Sequence, residues 1–170
     1  MVVAIIATSG GGAKRPPPPA RLPALVNTYT NRAIGVTGAL PRDWTAVRGT
    51  GFVQLASRDR NAIVVIGAQL VTPGRKPPLL RRALAAVRKT YGAYGPVTVK
   101  HAPGAKLGGL PARSIVAYAR NRHHVLIRVL VAAAQTPRLA YLLEAFTSRK
   151  ASVHDLAETQ EAVSALRLKG

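Results

Sequence analysis

Residues Ala62 to Val71 form the stretch that most narrows what this chain can fold into. The run is almost unbroken in apolar character; the polar turn Arg58-Asp59-Arg60-Asn61 leads into it, and Thr72-Pro73-Gly74 ends it. Strand side chains alternate between the two faces of a sheet, so a strand that is apolar on both has to be covered on both. A one-faced sheet is thereby disfavoured, and a layered domain is implied. Hydrophobic residues make up 48% of the 170-residue chain, enough to build such a core,.

The remaining elements fall around that strand. Ile34 to Leu40 alternates weakly and stops at Pro41-Arg42-Asp43-Trp44, and Phe52 to Ser57 is a short strand. Residues 77 to 92 read as a helix, with Pro77 and Pro78 in its first turn and Gly92 at its end,. Leu80, Leu84, Val87 and Tyr91 fall at i, i+4, i+7 and i+11, one buried stripe,. Pro96 to Ala102 is a strand, and Ala105 to Pro111 is a Gly-rich connection. Ser114 to Ala119 and Val125 to Ala133 pair as a hairpin around Arg120 to His124, and Leu139 to Thr147 reads as a third meander strand,. Ser152 caps a helix from Val153 to about Leu166, with Asp155 in the capping-box position and Leu156, Val163 and Leu166 facing the core,. Strands, one helix, a run of antiparallel strands and a closing helix describe an α+β sandwich whose antiparallel sheet has about five to seven strands.

Several of these features, in this order, resemble the PsbP-like family. They are Ile34-Gly35-Val36 leading to Leu40-Pro41-Arg42-Asp43-Trp44, the hairpin into Ala62 to Val71, the helix over 77 to 92, Gly108-Gly109-Leu110-Pro111-Ala112 before a strand, and a closing helix through Ala165-Leu166-Arg167. The family comprises α/β/α sandwiches and includes an extrinsic photosystem subunit, a Ran-binding nuclear import factor and many bacterial exported proteins. The resemblance covers about residues 29 to 168 and rests on element order and two short motifs, Pro-x-x-Trp and Gly-x-Pro-Ala. It implies an α/β/α fold and a binding or assembly role. Both motifs are structural: Trp44 fills the core end of a strand, and Gly109 with Pro111 shapes the approach to the next one. No catalytic residue carries over.

The first 28 residues differ from the rest. Val2 to Ala7 is apolar, Thr8-Ser9-Gly10-Gly11-Gly12-Ala13 follows, and then come Lys14-Arg15 and four prolines, Pro16 to Pro19. A bilayer-spanning helix needs about 20 apolar residues, so this segment does not span as written. It reads like the outer end of a transmembrane helix running into a stiff stalk, which implies an internal start or a trimmed anchor. The alternative is a cytoplasmic protein with a disordered N-terminus. The glycines do not make a phosphate loop, because Arg15 takes the hydroxyl position after Lys14 and prolines replace the helix that should follow,. Residues 1–28 are therefore an apolar start and Pro-rich linker, and residues 29–170 a single domain.

Candidate chemistry is sparse. Cysteine is absent, which excludes disulfides, thiol catalysis and cysteine-ligated metals,. Before residue 144 the acids are Asp43 and Asp59, each in a turn; Asp155, Glu158 and Glu161 lie on the last helix and read as a solvated face,. Adjacent His123 and His124 point to opposite sides if they lie in a strand, and so do not chelate one metal. No serine sits in a nucleophile elbow. Of the aromatics, Trp44, Phe52, Tyr91, Tyr118, Tyr141 and Phe146 sit where a core would use them, leaving Tyr29 and Tyr94 exposed. The expectation is a non-enzymatic protein without a cofactor, a metal or a small-molecule substrate.

Charge is the strongest functional feature. Lys plus Arg number 25 against 6 Asp plus Glu, a net +19, and residues 1 to 143 carry all of the excess. Self-repulsion of that size disfavours a compact state, so it calls for a partner. Between residues 75 and 89 stand Arg75, Lys76, Arg81, Arg82, Arg88 and Lys89 with no acid. These six are the expected anion-binding residues. The expected partner is an anionic membrane or envelope polymer, or an acidic protein, met at an extracytoplasmic, membrane-associated location. The alternative is a cytoplasmic nucleic-acid-binding protein of low sequence specificity.

Overall fold

The computed structural model of the protein describes residues 23–72, 77–102 and 105–169. Val2 to Ala7, the proline run, Arg75 and Lys76 lie outside the described residues. In chain order the strands are β1 (Leu25–Asn31), β2 (Val36–Pro41), β3 (Thr45–Arg48), β4 (Phe52–Ala56) and β5 (Ala62–Leu70). Helix α1 (Leu79–Tyr91) follows, then β6 (Thr98–Ala102), β7 (Lys106–Leu107), β8 (Leu110–Arg120), β9 (Leu126–Gln135) and β10 (Leu139–Ser148). Helix α2 (Val153–Ser164) and β11 (Arg167–Leu168) close the chain.

The main sheet runs β3-β4-β5-β10-β9-β8-β6, with antiparallel neighbours throughout and β7 paired to β8. A second, three-stranded sheet has the order β1-β2-β11. The meander expected for Ser114 to Thr147 is present as β8, β9 and β10, with Ala145 opposite Leu130 on one side and Val64 on the other. One face of the main sheet carries Val53, Leu55, Val64, Ile66, Tyr141 and Leu143 under the small sheet and α2. The other face carries Ile115, Ala117, Val129 and Val131 under Ala83 and Val87 of α1. The layers are therefore helix, sheet, and helix with small sheet: the α+β sandwich read from the sequence, slightly richer in strands.

Covering of β5 on both sides is only half realised. Val64 and Ile66 are buried, but Ile63 and Val65 on the opposite side are half-buried, because α1 packs over β8 and β9 rather than over β5. The same gap leaves Phe52 42% and Val47 56% exposed, so Phe52 is not the core residue its apolar context suggested. Tyr29, expected at the surface, is buried: its ring lies over Gly38, where any Cβ would collide with it, and burial holds its hydroxyl well above the ordinary tyrosine range. Leu156, expected in the core, is 42% exposed. Its place is taken by Thr159, Ala162 and Leu166, which are buried. Strand β1 begins at Leu25, inside the stretch read as linker. Strand β1 shows no apolar period, with Asn27, Thr28, Thr30 and Asn31 polar around Tyr29, and β3, β7 and β11 are too short to show one.

Two local interactions lock the layers together. Trp44, 4% exposed at the end of the Pro-x-x-Trp motif, donates its indole N–H to Glu158 Oε2 of α2 at 2.9 Å. Glu158 also pairs with His154 Nε2 at 3.1 Å, so it is a tie between layers rather than part of a solvated face. At the C-terminal strand, the Lys169 amide donates to the Gly35 carbonyl at 2.8 Å, and the Tyr141 hydroxyl donates to the Lys169 carbonyl at 2.9 Å. Gly35 sits at φ +62 with the Lys169 carbonyl where a side chain would be, so only glycine fits there,.

Candidate anion-binding face

Helix α1 buries Leu79, Ala83 and Val87, with Leu80, Leu84 and Tyr91 half-buried beside them. At 100° per residue, that stripe turns Arg81, Arg82, Arg88 and Lys89 outward, and all four are exposed,. They stand in two columns, Arg81 above Arg88 and Arg82 above Lys89, each pair about 10.5 Å apart along the axis. No acid occurs on the helix, and Pro78 at its start supplies no side-chain cap. Four of the six expected basic residues are therefore on one described face.

The two ends of α1 differ electrostatically. Arg88 and Lys89 occupy the last turn, where the partial negative charge of the helix end favours cations,. Arg81 and Arg82 sit in the first turn, where the helix carries partial positive charge and where side chains lean back toward that end. Their placement costs the helix stability.

The wider charge distribution does not neutralise this face. Every Lys and Arg among the described residues is exposed, and the ion pair found among those residues is His154–Glu158. Glu144, on β10 between Val65 and Val131, is half-buried on the same side of the sheet as α1. Desolvation there raises its pKa, and its charge adds to the burial that raises the Tyr91 phenol.

A cleft of about 910 Å³ opens at the start of α1. It forms because the side chains beneath the helix shrink along β9: Ile127, Val129 and Val131 fill the interface, and Ala133 follows. Arg113, opposite Ala133 on β8, and Arg81 both line the opening. Arg113 was not among the expected site residues. Its signal was its parity: it alternates with Ile115 and Ala117, a cation in the apolar register of a strand.

On the other face of the sheet, Tyr118 holds Lys100 Nζ at 5.9 Å from its ring centroid and lies directly opposite Arg128. Tyr118 is half-buried, not a full core residue. His123 and His124 are exposed in the turn between β8 and β9 rather than in a strand, with the Arg120 guanidinium donating to the His124 carbonyl at 2.8 Å. Asp59 accepts from the Ser57 hydroxyl at 2.8 Å and the Asn61 amide at 3.0 Å, the work of a turn former, and these bonds lower its pKa. Among the described residues, no group of three or more His, Asp and Glu could hold a metal, and no helix is long and apolar enough to cross a membrane.

An α/β/α sandwich on a seven-stranded antiparallel path, with a cationic helix over one face, is a recognisable class of domain. No family model and no curated protein matches the sequence. Solved structures do match it in fold. Cyanobacterial PsbP (CyanoP) from Synechocystis sp. PCC 6803 superposes with a TM-score of 0.59 at 11% identity, over 95% of this chain and 98% of that one. LpqN, involved in cell envelope biogenesis of Mycobacterium tuberculosis, gives 0.54 at 15% identity over 79% and 83%. A protein of Bacteroides thetaiotaomicron VPI-5482 gives 0.56 at 12% identity over 84% of this chain and 48% of that one, so the chain spans about half its length. The protein has the PsbP-like fold, and at these identities the likeness is one of fold.

Proposed function

We propose that this protein is a non-enzymatic, envelope-associated binding or assembly module that engages an anionic membrane or envelope polymer through the outward face of α1. One observation carries the reading: Arg81, Arg82, Arg88 and Lys89 share one acid-free exposed face, and two of them stand at the helix end that disfavours them. A surface that loses stability to keep its charge is accounted for by what the charge binds. The fold likeness to LpqN, involved in cell envelope biogenesis, supports the location.

Each cation near an anionic surface contributes on the order of 1 kcal/mol, so four give about 4 kcal/mol, close to a millimolar affinity. At about millimolar anionic lipid that affinity holds about half of the protein on vesicles, which a sedimentation assay reads. The test is co-sedimentation with vesicles containing anionic lipid at about 50 and 200 mM salt. Wild type is expected to be retained, and R81Q/R82Q/R88Q/K89Q to be lost. Equal retention of that variant sinks the proposal, and binding to an acidic protein but to no vesicle transfers the face to the other class of partner.

Nucleic acid is the second reading, favoured by Tyr118 between Lys100 and Arg128, an aromatic flanked by cations,. That surface lies on the opposite face from α1, so the two readings separate cleanly. Loss of DNA binding in K100Q/R128Q, with vesicles ignored by wild type, moves the function there.

A further inference from the structure

We infer that the cleft between the start of α1 and the ends of β8, β9 and β10 is a binding site for a single-chain anionic amphiphile, one carboxylate or phosphate head with an apolar tail. The site is distinct from the helix face proposed above and shares only Arg81 with it.

Three observations converge. The volume, about 910 Å³, lies in the range of pockets that enclose one small ligand,. Its walls are largely apolar, drawn from Pro78, Leu79, Ala112, Ala133 and Ala140, and they offer little to a sugar or a peptide backbone. Two exposed arginines from separate elements line it, Arg81 on α1 and Arg113 on β8, neither paired with a carboxylate among the described residues. A guanidinium fork matches the paired oxygens of a carboxylate or phosphate, and two forks at one rim fix where the head lies. The tail then takes the space that the small residues leave below.

Arg113 also breaks the apolar alternation of its strand. Its register partner is Ala133, so the neighbouring strand sets only a small side chain beside it. Arg113 is exposed and has no carboxylate partner among the described residues, so its guanidinium is free to meet an anion entering the cleft. The positive end of α1 reinforces the preference for negative charge, though the two arginines and the apolar walls define the ligand.

The experiment is isothermal titration of the full chain with decyl phosphate and decanoate, both below their micelle concentrations. Inorganic phosphate and the neutral decyl maltoside serve as comparison ligands. Both anionic amphiphiles are expected to bind, and phosphate alone and the maltoside to bind at least tenfold more weakly. R113Q should weaken decyl phosphate about tenfold or more, the loss of one charge-assisted pair. A133F should plug the cleft and abolish the titration while leaving vesicle retention intact. R82Q/R88Q/K89Q, which leaves the cleft untouched, should keep decyl phosphate binding even if vesicles are lost, so failure of the helix-face reading is distinguishable. Equal binding of phosphate and decyl phosphate, equal binding of the maltoside, or wild-type titration by R113Q overturns the inference. If A133F does not fold, R113Q and the ligand comparison still decide.

Discussion

Splitting the four cations of α1 into terminal pairs gives two variants, R81Q/R82Q and R88Q/K89Q, that remove the same charge from the same helix. Relief of the general self-repulsion of a +19 chain is common to both, and Gln resembles Arg and Lys in helix propensity,. The helix dipole is not common to both. Each cation near a terminus is worth about 0.3–1 kcal/mol, unfavourable in the first turn and favourable in the last. No acid in the first turn and no side-chain cap at Pro78 offset the first-turn cost. Removing Arg81 and Arg82 should therefore stabilise by about 1 kcal/mol, and removing Arg88 and Lys89 should destabilise by about as much, a separation of about 2 kcal/mol. In a domain of this size 1 kcal/mol moves the Tm by about 2–4 °C, so the two variants should melt about 4–8 °C apart, with R81Q/R82Q higher.

Thermal unfolding followed by circular dichroism at about 20 mM salt measures this, and repetition at about 0.5 M tests the cause, since salt screens exposed charges. The gap should shrink in salt. Vesicle retention should fall by a similar amount in both variants, because an anionic surface is indifferent to which end of the helix a cation occupies. Equal melting temperatures at low salt, or R88Q/K89Q melting higher, would refute the reasoning that Arg81 and Arg82 are held against the stability of their own helix.

Three further outcomes follow from individual residues. Glu158→Ala should cost about 1–3 kcal/mol by leaving the buried Trp44 indole N–H without its acceptor, and Glu158→Gln less than half of that; urea unfolding followed by the fluorescence of this one tryptophan measures both,. Gly35→Ala should destabilise by about 2 kcal/mol, combining a left-handed backbone with a collision at the Lys169 carbonyl, and should lose amide-exchange protection at Lys169; full protection in that variant would contradict the clamp,. Glu144 has its pKa raised by desolvation above the ordinary 4.5, so the unfolded chain ionises first and stability falls as pH rises through the interval between the two values,. Glu144→Gln should then melt higher than wild type at pH 7 and together with it at about pH 3; a Tm gain that persists at pH 3 would assign the effect to packing rather than to charge.

What the sequence disclosed followed from periods long enough to be read. The stripe Leu80, Leu84, Val87 and Tyr91 placed α1 and, by exclusion, its outward cations, because 3.6 residues per turn fixes both faces at once,. Ser152 and Asp155 announced α2, and both halves of the capping box are present. Strand β1 hid because it lies at the protein edge with Val26, Asn27 and Thr28 exposed, and β11 because two residues hold no period. The cleft was illegible for another reason. It depends on Ala133 falling beside the start of α1, an encounter of segments far apart in the chain. Its one local trace is a cation at Arg113 in a register that its neighbours keep apolar.

The two helices together argue against composition as the source of the cationic face. An Arg-rich bias acts along a whole chain and would scatter cations over both. Instead α1 carries Arg81, Arg82, Arg88 and Lys89 without an acid, whereas α2 carries Asp155, Glu158 and Glu161 without a Lys or Arg. Capping follows the same division: α2 has a complete capping box at its positive end, and α1 has arginines at its own. The helices lie on opposite faces of the main sheet, so the sorting is one between the two helices, while Lys100 and Arg128 add cations to the face opposite α1. If α1 is the contact proposed above, its acid-free face would turn inward in preference to the acidic α2,. The same orientation would bring the mouth of the cleft, with Arg81 and Arg113, toward the surface from which an anionic amphiphile would come.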